Sequence, residues 1–95
     1  MKPYFVELSS SSPQGLRAQA AAAVDDAQRR KATMLIIGLD RLASLDDEAL
    51  SATIVALRRH RESGGTVRLV TQSAVHRDRL ARTGLDRVFD VSHEQ

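Results

Sequence analysis

The sequence predicts an α/β fold: a four-stranded, mostly parallel or mixed sheet with three main helices packed against it. Three observations carry that expectation. Short runs rich in Val, Ile and Leu alternate with longer segments whose apolar residues recur at helical spacing. Between them stand punctuating residues, with Ser and Pro before the first helical segment and Gly after the second and third. The order that results is strand, helix, strand, helix, strand, helix, strand, which favours parallel pairing through right-handed crossovers.

The first strand is expected over residues 3–8, with Pro3 at its start, where a missing amide hydrogen is tolerated. The serines at 9–12 break it. Ser12 as N-cap and Pro13 as first helical residue make a coherent helix start. That helix carries Leu16, Ala20, Ala23, Val24 and Ala27 on one face, with Arg17, Gln19, Asp25, Gln28 and Arg29 on the other. Its alanine run has high helical propensity and allows close packing on a sheet. Residues 32–50 form the organising stretch. Met34, Leu35, Ile36 and Ile37 read as a buried strand that Gly38 interrupts, followed by a loop and the acidic start of a helix. Ser44, Asp46 and Asp47 all offer caps, and Ser44 with Asp47 resembles a capping box. Leu50, Thr53, Ile54 and Leu57 face the core, and Gly64 and Gly65 end the helix. Residues 66–70 alternate as a third strand. Ser73 or Thr71 caps a third helix carrying Val75, Leu80 and Ala81, and Gly84 ends it. Residues 85–91 turn into a last short strand, and 93–95 are expected to fray.

The chain has 95 residues, the size of one domain, so a single domain over 1–95 is expected. It has three aromatic residues, Tyr4, Phe5 and Phe89, so the core must come from Leu, Ile, Val and Ala. It has no cysteine, which excludes disulfides and thiolate metal sites. No signal peptide is read at Met1, Lys2 and Pro3, and no apolar run approaches the roughly 20 residues of a membrane span. A cytoplasmic protein without membrane insertion is therefore expected. The net charge is +2, and arginines crowd the second half. Without an aromatic platform beside them they read as a solvated face, and no nucleic-acid partner is expected.

Asp46, Asp47 and Glu48 are the most conspicuous polar cluster. Consecutive helix positions point about 100° apart, so three neighbours do not converge on one ligand. An acidic helix start satisfies both the dipole and the cap, and the same residues suit a partner-recognition surface. The serines at 9–12 read as a loop with a cap or as part of that surface. His60, His76 and His93 have no partner at ligand spacing and read as surface histidines. No metal or cofactor is expected, and no nucleophile–base pair stands at a spacing that suggests an enzyme.

Nearly the whole chain resembles the STAS domain family, the fold of the anti-sigma factor antagonists. Three pieces in order carry the resemblance. Val6-Glu7-Leu8-Ser9 ahead of Pro13 is similar to the family's Gly-Glu-Leu-Asp and its proline-led helix. Leu35-Ile36-Ile37 followed by Asp46-Asp47-Glu48-Ala49-Leu50 is similar to its strand and Asp-Ser-Ser-Gly-Leu helix start. Gly64-Gly65 with the strand after it, and Thr83-Gly84-Leu85-Asp86-Arg87-Val88-Phe89, are similar to its closing pieces. The resemblance implies a STAS-like fold and a non-enzymatic protein that binds another protein. In the family, a serine after the aspartate is phosphorylated by a kinase that is also the anti-sigma factor. Here Asp47 stands at that serine, Glu48 at the next one, Ala49 at the glycine, Ser9 at the aspartate of the first motif and Gly38 at the strand-end aspartate. The fold expectation survives these departures and the phosphorylation switch does not.

The partner surface that the resemblance implies comprises Ser9, Ser10, Ser11, Ser12, Ser44, Asp46, Asp47, Glu48 and Ser51. Asp47 is the non-phosphorylatable equivalent of the family's site. The expected partner is an anti-sigma factor or related serine kinase, and transcription regulation in a bacterium is the implied setting. The alternatives are a small STAS subunit of a membrane-transport ATPase complex and, from another class, a small enzyme using the acidic loop. A homodimer is also compatible with the sequence.

Overall fold

A computed structural model describes residues 3–87 and 90–92, the last three by their backbone. The elements are β1 (Tyr4–Ser9), α1 (Leu16–Arg29), β2 (Met34–Arg41), α2 (Asp47–Glu62), β3 (Thr66–Val70), α3 (Ala74–Thr83), a 3-10 turn (Leu85–Arg87) and β4 (Asp90–Ser92). The protein is α/β, with three helices and a parallel sheet. β1, β2 and β3 form the body of the sheet, with Val6 opposite Ile37 and Ile37 opposite Leu69. The expected fourth strand is only three residues long and adds in parallel beside β3. Every ladder among the described strands is parallel, so the mixed option falls away.

The strands lie in the sheet in chain order, β1-β2-β3-β4. Right-handed crossovers that all progress in one direction put their helices on one face. The core lies under that face. Leu8, Leu35, Ile37, Leu39 and Leu69 are fully buried there, against Ala20, Ala23, Val24 and Ala27 of α1 and Ala49, Ala52 and Ala56 of α2. Facing alanines let α1 and α2 pack closely on each other and on the strands. The neighbours Met34 and Ile36 point the other way and are only half-buried.

Several expectations need correction. α1 starts at Leu16 rather than Pro13, with Gly15 at the N-cap and no side-chain cap. Ser12 Oγ instead accepts from the Gln14 amide at 3.2 Å, closing a local turn before the helix. Gly38 does not end β2. It pairs with Glu7 and Val70 inside the sheet, and the strand runs on to Arg41 because Leu39 has a fully buried place in the core. A Cβ at Gly38 would stand 2.8 Å from Glu7 Cγ and 3.1 Å from the Phe5 ring, so glycine makes room there for its neighbours' side chains. The cap of α2 is Asp46, whose Oδ1 accepts from the Ala49 amide at 3.0 Å, and not a Ser44–Asp47 box.

On α2, Ile54 is half-buried, and the inner face is taken by Ala49, Ala52, Thr53, Ala56, Leu57 and His60. On α3, Val75 is 76% exposed and Ala81 is also exposed, whereas Leu80 and His76 face inward. His60 and His76 are buried, not surface residues, because each ring binds a backbone carbonyl. His60 Nε2 donates to the Thr33 carbonyl at 3.0 Å and His76 Nε2 donates to the Leu42 carbonyl at 3.2 Å. Met1, Lys2, Val88, Phe89 and the tail 93–95, including His93, lie outside the described residues.

Candidate functional site

At the C-terminal end of β1, three serine hydroxyls are engaged. Ser9 Oγ lies 3.0 Å from Ser11 Oγ and accepts from the Ser11 amide, while Ser10 Oγ accepts from the Ala43 amide at 3.0 Å. Gln19 of α1 holds the loop. Its Oε1 accepts from the Ser9 amide at 2.9 Å, and its Nε2 donates to the Ser9 and Gln14 carbonyls at 2.9 Å each. A glutamine amide that bonds both the N–H and the C=O of one residue, here Ser9, reproduces a strand-like pair, so this loop is tied down rather than a free linker.

The Ser10–Ala43 bond joins the serine loop to the loop after β2. The two loops enclose a hollow of about 390 Å³ above the sheet edge. Ser9, Ser10, Ser12, Ser44, Asp46 and Glu48 line it, together with Pro13, Leu16 and Ala43. The charged lining is thus acidic, next to the N-terminus of α2. Of the residues expected at a partner surface, Ser11, Asp47 and Ser51 fall outside this lining. Ser51 accepts from Arg17 Nη2 at 2.8 Å, which links α2 to α1 beside the hollow.

Asp47 turns away from the hollow. Its side chain is 99% exposed and meets Arg79 Nη2 of α3 at 3.2 Å. Arg79 Nε also donates to the Leu45 carbonyl at 3.1 Å, so the guanidinium spans the loop and the helix start. An exposed pair of this kind contributes on the order of 0–1 kcal/mol, so it positions charge more than it stabilises the fold. Asp46 is committed to its cap and Glu48 is exposed. The three carboxylates therefore point to three tasks. Among the described residues, no group of three or more His, Asp or Glu is placed to hold a metal ion.

Sequence reasoning missed Gln19, Arg79 and Asp40. Asp40 accepts from Thr71 Oγ1 at 2.5 Å and from the Gln72 amide at 3.0 Å, tying the end of β2 to the loop before α3. All three act across more than one element, and local periodicity carries no signal for such contacts. No family model matches the chain, and no curated protein matches it significantly. No helix among the described residues is long and apolar enough to cross a membrane.

Proposed function

We propose that this chain is a non-enzymatic, STAS-like protein that works by docking a protein partner at the hollow between the serine loop and the acidic loop. The observation that carries the reading is the joining of these two distant segments through Ser10 and Ala43 around one acidic depression. Loops held at the end of a rigid sheet are where an α/β protein presents recognition residues. Asp46 and Glu48 give the hollow a preference for a basic partner segment. The non-catalytic reading is supported by how the histidines are used. Among the described residues, the rings of His60 and His76 are buried and each donates to a backbone carbonyl rather than to a serine hydroxyl.

The resemblance to the antagonists suggests a serine kinase or anti-sigma factor as the class of partner. Asp47 has no hydroxyl, so binding here is constitutive with respect to phosphorylation at that position. Affinity capture from the native cell with the wild-type chain and with Glu48→Arg tests the reading. A basic protein held by the wild type and lost from the variant supports it. Identical captured sets would remove the hollow from consideration.

A further inference from the structure

We infer that the free edge of β1 is a self-association site, where β1 of a second copy of this chain pairs antiparallel across a two-fold axis at Val6. The inference is independent of the docking hollow. In the strand order β1-β2-β3-β4 the sheet has two edges. β4 is only three residues long, and an edge that short is blunted against pairing. β1 has six residues and one neighbouring strand, β2. Its outer side carries main-chain N–H and C=O groups, the template on which another strand adds.

Hydrogen bonds show which residues turn outward. The amide and carbonyl of Ser9 both bond the Gln19 side chain, so Ser9 faces away from β2, whereas the Ser10 amide donates to the Arg41 carbonyl of β2. Peptide groups alternate in direction along a strand. The register shift after Glu7 puts its extra residue on β2, so β1 keeps that alternation. Phe5 and Glu7 therefore present their N–H and C=O outward, and among the described residues nothing bonds them there.

This open window is its own complement, which selects the second copy as occupant. An antiparallel pair centred on Val6 sets Phe5 of each protomer opposite Glu7 of the other, and their outward amides and carbonyls satisfy one another. Beyond them Pro3 falls opposite Ser9, whose N–H and C=O are already taken by Gln19. A strand with an ordinary residue there would bring a donor to a place with no acceptor left; this chain brings a proline, which has no N–H. On the helix side, Val6 stands opposite Val6 and Tyr4 opposite Leu8, and Tyr4 and Val6 are only half-buried in the single chain. On the other side, Phe5 lies beside the Glu7 stem of the partner while Glu7 keeps its ion pair with Arg41. The axis is perpendicular to the sheet, so both helix layers lie on one side and α1 meets α1. Gln19 and Asp26 bond Ser9 and Tyr4 and so mark the edge-facing stripe of α1, with the exposed Ala22 between them. An alanine at that crossing admits the ~8–10 Å approach of packed helices.

Sedimentation equilibrium and amide hydrogen exchange at several concentrations test the inference, with circular dichroism as the folding control. The wild type should be a dimer at micromolar concentration. The Phe5 and Glu7 amides should be protected in the dimer and exchange freely on dilution, while the Val6 amide, turned toward β2, stays protected throughout. Phe5→Pro removes an outward donor that the chain's own sheet does not use, and should weaken association by about tenfold or more. Ala22→Glu, on the exposed side of α1, gives a second reading should Phe5→Pro fail to fold. It sets two acids together at the helix crossing and should also weaken association by about tenfold or more. A monomeric wild type, a dimer whose Phe5 and Glu7 amides exchange freely, or a dimer that either folded variant leaves intact would each overturn the inference.

Discussion

Gly65 and His60 show how one missing methyl group decides a buried site. A Cβ at Gly65 would lie 2.3 Å from His60 Nε2, the atom that donates to the Thr33 carbonyl. Gly65→Ala must therefore push the ring off its acceptor, and overpacking of this kind costs about 1–3 kcal/mol. A urea midpoint equal to that of the wild type would show that the ring has another place to go. Ile37 makes the opposite case. It is fully buried at the middle of β2, and Ile37→Ala should cost about 2–5 kcal/mol, a large part of the 5–15 kcal/mol typical of a domain. Chemical denaturation reads this directly. At Asp47 the expectation is chemical: a serine kinase forms a phosphoester on a hydroxyl, and Asp47 has none. Peptide mapping after incubation with a cognate kinase and ATP should leave the peptide around Asp47 unmodified. Phosphate on Ser44 or Ser51 would instead place a switch at a neighbouring hydroxyl.

Helix starts and loop ties act at the scale of the element. Asp46 caps α2, and Asp46→Ala should lower stability by about 0.5–2 kcal/mol. Ser44→Ala should leave stability nearly unchanged, because the Ser44–Asp47 box does not form. If the two variants melt alike, the cap has been assigned to the wrong residue. Gln19 makes three hydrogen bonds to the backbone at Ser9 and Gln14, all lost in Gln19→Ala. Hydrogen exchange should then accelerate at residues 9–12 while the amides of β2 stay protected. Uniform acceleration would mean that Gln19 supports the whole fold rather than the loop.

The whole molecule presents two unlike surfaces. The loop end carries a small acidic hollow, and the helix-free sheet face carries exposed Phe5 and half-buried Met34, Ile36 and Val70 beside the Glu7–Arg41 ion pair. Arg79 bridges Asp47 to the loop after β2, so Asp47 is part of the molecule's own charge pattern. With a partner that has co-adapted to this charge, Asp47→Ser should weaken binding by about 1–3 kcal/mol. With a partner suited to an uncharged serine, the same change should strengthen it. Titration calorimetry distinguishes the two, and equal affinities would return Asp47 to a role within the chain.

The sequence by itself determined the α/β class, the order of elements and the inward face of α1, where Leu16, Ala20, Ala23, Val24 and Ala27 are all buried. These follow from local periodicity and from glycines such as Gly84, whose φ of 79° ends α3. Only the tertiary structure decided where β2 ends, that His60 and His76 are core residues, and that Ser10 reaches Ala43. The physical reason is the same in each case. Gly38 reads as a break until its neighbours across the sheet fill the space above it, and a histidine reads as exposed until a distant carbonyl accepts its proton. Hydrogen bonds and close packing between residues about 30 apart leave no periodic trace in the chain, so they emerge only when the sheet brings them together.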